Sequence, residues 1–262
     1  MRILFLGNNW VGWQVLRWLK ERDEEIVGLV LHPPQKRKYG DEILRTGRLD
    51  PARIFDGSQL HKVEIKQAIR TLQPDLGVSA LFGYVLRREI IDLLPAGCIN
   101  LHPALLPYNR GTYPNVWSIV EGTPAGATLH YVDAGVDTGD IIAQKQVPVD
   151  PVDTGETLYR KLERACVEIF EEAWPYIRNG QAPRIPQIAE MGTFHRTSDV
   201  DRLDEVDLDR TYTARELIDI LRARTFPPHA GAYFRSGNRK VYLRLQLFHE
   251  DDLPEDCSGS HD

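Results

Sequence analysis

Residues 100–111 read NLHPALLPYNRG, and residues 131–140 read YVDAGVDTGD. Asn100 and His102 follow the short apolar run at 97–99, where a strand is ending, and Pro103 closes it. Side chains at i and i+2 of an extended segment share a face, so an amide and an imidazole are presented together. The second stretch carries Asp133, Asp137 and Asp140 with glycines between them, again between two apparent strands. Asp and Gly together make turns, and an Asn–His pair can be turn hardware. A carboxylate beside an imidazole also fixes its tautomer and raises its basicity, which suits acid–base work near neutral pH. An amide donor beside both could stabilise an oxyanion. Asn, His and Asp from two neighbouring strand ends would serve acyl transfer without a covalent nucleophile.

The competing chemistries have weaker signatures. Ser79 and Ser118 lack the G-x-S-x-G elbow, and Cys98 has no evident base beside it. His102 has no histidine at i+2 or i+4 with which to share a metal ion, so no metal is expected. LGNNWVG after the first apolar run has Gly7 and Gly12 without the G-x-G-x-x-G spacing, and no P-loop is present. Asn9 and Trp10 would still lie at the carboxyl edge of a sheet, where open α/β folds place ligands. The run Lys36-Arg37-Lys38 reads as a solvated loop or a phosphate contact.

The elements that must position these groups alternate. RILFLG (2–7), EIVGLVLH (25–32), DLGVSALFG (75–83) and GCINLH (97–102) read as buried strands. VGWQVLRWLKER (11–22), IKQAIRTLQ (65–73), LRREIIDLLP (86–95) and NVWSIVEG (115–122) read as helices. Residues 32–43 read as a polar loop. Continuous apolar strands alternating with helices imply a Rossmann-like, mostly parallel sheet with helices on both faces. Two further strands, 126–135 and 140–149, flank the Asp-rich loop, and 154–180 is a long amphipathic helix N-capped by Thr154. The Pro-broken QAPRIPQ (181–187) marks the end of a catalytic domain over 1–185. A small α+β subdomain follows over 186–250, with a helix at 213–225 and a hairpin turning at Ser236-Gly237-Asn238, and 251–262 reads as a frayed acidic tail.

Composition bounds the partners. At 42% hydrophobic and 27% charged residues, the chain is ordinary for a soluble domain. No run approaches the roughly 18 apolar residues of a spanning helix, and MRILFLGNNW lacks a secretory cleavage pattern. Three scattered cysteines predict a reducing cytoplasm rather than disulfides. A net charge of −6 argues against a large nucleic-acid footprint.

INLHPALLPYNRGTYPNVWSIVEG together with GVDTGD resembles the folate-dependent formyltransferases, which include methionyl-tRNA formyltransferase, glycinamide ribonucleotide transformylase and the sugar N-formyltransferases. The motifs N-x-H-P, L-L-P, R-G and D-x-G-x-D-T-G-D occur in order, over about residues 1–180. The resemblance implies transfer of a formyl group from N10-formyltetrahydrofolate to a primary amine, with Asn100, His102 and Asp137 as the catalytic set. It places the pterin pocket on the loop holding Phe82, Gly83, Tyr84 and Leu86 and on Asp133 and Gly135 of the Asp-rich loop. PYNRGTYPNVWSI and LRARTFPPHAGAYF look most similar to enzymes acting on a dideoxy amino sugar carried by a nucleoside diphosphate, as in O-antigen or glycan biosynthesis. Trp10, Tyr113, Asn115 and Asn9 are then the candidate acceptor contacts, although Trp10 and Tyr113 read equally as packing residues. Residues 200–262 hold nine Lys/Arg against thirteen Asp/Glu, a poor match for tRNA and a better one for a pocket edge or a homodimer contact.

Overall fold

Ile3, Leu4, Phe5 and Leu6 are fully buried, so the first strand is covered on both faces, as its unbroken apolar run predicts. The computed structural model describes residues 1–253; the expected frayed tail, 251–262, therefore lies from residue 254 onward outside the described residues. The elements run β1 (Arg2–Gly7), α1 (Asn9–Glu21), β2 (Glu25–Leu31), α2 (Gly40–Gly47), β3 (Ile54–Asp56), α3 (Val63–Thr71), β4 (Leu76–Ala80), α4 (Arg88–Ile91) and β5 (Cys98–His102). They continue with β6 (Arg110–Gly111), α5 (Pro114–Val120), β7 (Ala125–Tyr131), β8 (Ile141–Val147) and α6 (Gly155–Arg178). After them come β9 (Phe194–His195), α7 (Thr197–Asp204), α8 (Ala214–Ala223), β10 (Tyr233–Ser236) and β11 (Arg239–Tyr242).

Seven strands form one sheet in the order β3-β2-β1-β4-β5-β7-β8. The first five are parallel; β7 runs antiparallel to β5, and β8 antiparallel to β7. The chain leaves β1 toward one edge of the sheet and returns at β4 toward the other. Such a reversal opens a crevice beyond the carboxyl ends of the strands, where α/β folds bind ligands. Asn9 follows β1 and Leu81 follows β4, so both stand at that crevice.

Helix α6 covers one face. Its N-terminus carries a capping box, Thr154 Oγ1 accepting from Thr157 N while Thr157 Oγ1 accepts from Thr154 N. Its apolar stripe, including Leu158, Leu162, Ile169 and Phe170, is buried against the sheet and α1, with Trp18 meeting Phe170 edge-on.

Several elements differ from the sequence expectation. Residues 40–47 form α2, which begins inside the stretch 32–43 read as a polar loop, because Ile43 and Leu44 find cover on a short helix bounded by glycines. α4 is only four residues long, and Leu86 belongs to the loop before it. β3, β6, β9 and α7 were not anticipated; they are two to eight residues long, too short to show a period. The hairpin strands span four residues each, with Gly237 in the left-handed region at φ 58°.

Candidate active site

The parallel run from β4 to β5 ends with Asn100 and His102 on one face of β5. Antiparallel β7 sets His130 directly opposite Asn100. His102 is buried, and its Nε2–H donates to the Asn109 carbonyl at 3.1 Å. A carbonyl only accepts, so that bond leaves the lone pair of the neutral ring on Nδ1. Asn109 can offer this carbonyl because it is in the left-handed region (φ 56°) and fully buried. Its side chain is locked by Ser118, Thr123 and Thr193.

The same logic orients Asn100. His130 Nδ1–H donates to the Tyr131 carbonyl at 2.8 Å, so the neutral ring holds its lone pair on Nε2. That nitrogen accepts from Asn100 Nδ2 at 3.1 Å, and Ser79 Oγ donates to Asn100 Oδ1 at 2.7 Å. The Asn100 amide therefore has its oxygen satisfied and one N–H to spare.

Asp137 stands across from both rings. Its Oδ2 lies 3.7 Å from His102 Nδ1 and its Oδ1 3.6 Å from His130 Nε2. These distances exceed a hydrogen bond, so His102 Nδ1 and Asp137 keep bonding capacity for an incoming group. Asp137 adopts φ 53° and accepts from Gly111 N at 3.0 Å. Burial works to raise its pKa, but the facing His102 and His130 rings, when they carry charge, and the Gly111 N–H outweigh burial, holding the carboxyl well below the usual carboxylate range. Burial pushes the Cys98 thiol up to about 12, so it supplies no thiolate at neutral pH. Among the described residues no group of three or more His, Cys, Asp or Glu side chains is arranged to hold a metal ion.

Asn100, His102, His130 and Asp137 line one cavity of about 620 Å³. The formyl transferase family model matches residues 1–174, two thirds of the chain, and the N-formyltransferase dimerization C-terminal domain model matches residues 199–249. This chain belongs to the formyl transferase family. Among its relatives, a methionyl-tRNA formyltransferase of Symbiobacterium thermophilum is 33% identical over 266 aligned positions, covering 99% of this chain and 79% of that protein. A 4-N formyltransferase from Francisella tularensis has a similar crystal structure, with TM-score 0.80, 29% identity, and coverage of 95% of this chain and 98% of that one. A formyltransferase from Anoxybacillus kamchatkensis, solved with UDP-4,6-dideoxy-4-formamido-L-AltNAc and tetrahydrofolate, superposes with TM-score 0.56 at 29% identity, over 77% of this chain and 89% of that one.

As an N-formyltransferase the molecule must seat two substrates, and the residues lining the cavity sort by element into two sets, here called wings. One is lined by Phe82, Gly83, Tyr84 and Leu86 from the β4–α4 loop and by Val132, Asp133, Gly135 and Val136. Phe82 is buried in the core, and its carbonyl accepts from His32 Nε2. Asp133 Oδ1 accepts from Gly135 N and Thr138 Oγ1, which shapes the loop. The other wing is lined by Asn9, Lys38, Tyr113, Asn115 and Tyr159, with Arg224, Phe226 and His229 from the segment after α8.

Of the anticipated acceptor contacts, Trp10 is not among the cavity-lining residues; it is half-buried in the first turn of α1, packed against the core. Asn115 lines the wall but spends its Nδ2 on the Gly155 carbonyl at 2.8 Å. Tyr113 is exposed at the rim, in the left-handed region at φ 57°. Asn9 Oδ1 is buried with no hydrogen-bond partner among the described residues. Of the basic run, Lys38 reaches the cavity, whereas Arg37 Nε donates to the His32 carbonyl. His130, Ser79, Tyr159 and Phe226 were missed. His130 had one signal, a histidine shortly before the Asp-rich loop, but its use depends on the antiparallel register with β5.

Proposed function

We propose that this enzyme transfers the formyl group of N10-formyltetrahydrofolate to the primary amine of a nucleotide-linked amino sugar. The observation that carries this reading is a single cavity lined both by Asn100, His102 and Asp137 and by the two sets of residues named above. The wing along 82–86 and 132–136 offers apolar side chains and loop backbone, which fits a flat pterin. The wing along Asn9, Lys38, Tyr159 and Phe226 offers a cation, an unpaired acceptor and aromatic rings, which fits a phosphorylated, base-bearing acceptor. Solved relatives named for sugar-nucleotide substrates support the same choice.

The chain's groups divide the work. The spare N–H of Asn100 faces the developing charge on the formyl oxygen. His102 Nδ1 carries the lone pair needed to take a proton from the attacking amine, and Asp137 stabilises the imidazolium that results. Asp137 also orients a water or the amine between itself and His102, so the proton reaches the departing folate nitrogen. Holding both substrates in one cavity supplies a large share of the acceleration.

A second reading, formylation of methionyl-tRNA, is favoured by the names of the sequence relatives. The acidic balance of residues 200–262 opposes it. The test offers formyl-folate with methionyl-tRNA and a panel of nucleoside-diphosphate amino sugars in competition at moderate salt, with formylated product identified by mass. Formylation of a sugar nucleotide is the expected result. Efficient formylation of the tRNA with no sugar nucleotide turned over rejects the proposal.

A further inference from the structure

Residues 181–187 have the composition of a linker, but the segment is built into the site. Ile185, between two prolines' reach at Pro183 and Pro186, exchanges both main-chain hydrogen bonds with Ile141 at 2.8 and 3.0 Å. Gln187 follows. Its Nε2 donates to the Asp137 carbonyl at 2.9 Å and to the Gly139 carbonyl at 2.7 Å. Its Oε1 accepts from Arg110 Nε at 3.2 Å and Nη2 at 2.7 Å. This orientation is forced, because the reverse would set oxygen against two carbonyls and nitrogen against a guanidinium. Arg110 adjoins Gly111, whose N–H donates to Asp137 Oδ2. A closed circuit results: Gln187 grips the loop carrying Asp137 and the strand that binds the Asp137 carboxylate. A few residues on, Thr193 Oγ1 bonds the main chain and side chain of Asn109, which supplies the carbonyl for His102.

We infer that Gln187 is a positioning residue, the pin of a strap that sets the Asp137 carboxylate against His102 and His130. The inference rests on the reading of Asp137 as catalytic. Segment 175–198 lies outside both matched family regions, so neither of them assigns it this task. Asp137 holds a left-handed backbone beside Thr138-Gly139, and Gln187 bonds the carbonyls on both sides of Thr138. Without those two bonds the carboxylate can swing away from rings that it already faces across an unbonded gap. A displacement near 1 Å is enough to cost about a hundredfold in rate.

The experiment is a double-mutant cycle in the full-length enzyme, with kcat, KM for each substrate and the thermal midpoint measured for every variant. Gln187→Ala removes the pin. Gln187→Glu keeps its shape and the Arg110 contact but turns an oxygen toward two carbonyls, so it decides the matter should the alanine variant fail to fold. Either variant should lower kcat tenfold to a hundredfold, with both KM values within about twofold of wild type. Added to Asp137→Asn, the Gln187 change should cost less than about threefold more, because its effect runs through that carboxylate. Unchanged kcat, or an equal further loss in the Asp137→Asn background, overturns the inference. Near-normal turnover of Asp137→Asn alone removes instead the reading on which it rests.

Discussion

The amide of Asn100 and the ring of His102 are aimed by groups that do no chemistry. Two backbone carbonyls, of Asn109 and Tyr131, choose the tautomers of His102 and His130, and the second choice propagates through His130 to Asn100. We expect His102→Ala and Asp137→Asn each to lower turnover at least about a hundredfold, with folate affinity kept in equilibrium titration. His130→Ala should lower kcat about tenfold while leaving KM for the acceptor unchanged, since it frees the Asn100 amide to rotate; steady-state kinetics checks this. Asp137 also ties stability to pH. Its folded pKa is depressed, so its contribution is present above the unfolded carboxylate value near 4 and is lost as pH falls through the folded one. Wild type and Asp137→Asn should therefore differ in thermal midpoint by a full, steady gap above about pH 5, and the gap should narrow as pH falls below about 4.

At the scale of elements, the site is a set of short backbone exceptions at the ends of regular strands. Gly111 holds φ 91° against β9, where an added Cβ would collide with the His195 carbonyl. Gly139 is equally confined by the Tyr131 carbonyl. Gly111→Ala should cost about 1–2 kcal/mol in denaturant unfolding from its left-handed backbone alone, more with the collision, and should lower activity because the Gly111 N–H leaves Asp137. Thr154→Ala removes the α6 cap and should cost about 1 kcal/mol with turnover unchanged. The contrast separates damage to the scaffold from damage to the site. The sequence made β1, β2, β4 and β5 legible as unbroken apolar runs, and α6 legible because it is long enough to show its helical period. It hid β6 and β9, which are two residues each and exist only because they pair with one another.

The whole molecule joins its C-terminal unit to the cavity rather than trailing it. Phe226 and His229 line the cavity, and Phe226 packs on Tyr159 of α6 with ring centroids 5.7 Å apart. The hairpin exposes Val241 and Tyr242, and Phe248 is exposed after it, within the region matched by the dimerization domain model. We expect Val241→Glu with Tyr242→Glu to halve the mass measured by light scattering and to leave the isolated site competent. No helix among the described residues is long and apolar enough to cross a membrane.

The sequence by itself determined the strand-and-helix alternation and the shared face of Asn100 and His102, and it carried the motifs by which the family is known. These are properties of neighbours along the chain: a period of two, a period near 3.6, and spacings within one loop. Only the tertiary structure decided which groups answer one another across the site. His130 meets Asn100 through the β5–β7 register, the Asn109 carbonyl reaches His102 through a left-handed turn, and Gln187 reaches Asp137 from fifty residues away. Trp10, next to Asn9 in sequence, is packed half-buried against the core by the helix that starts there, while Asn9 lines the cavity. Hydrogen-bond partners are set by where a folded backbone leaves its unpaired carbonyls and amides, and that arrangement has no period for a sequence to display.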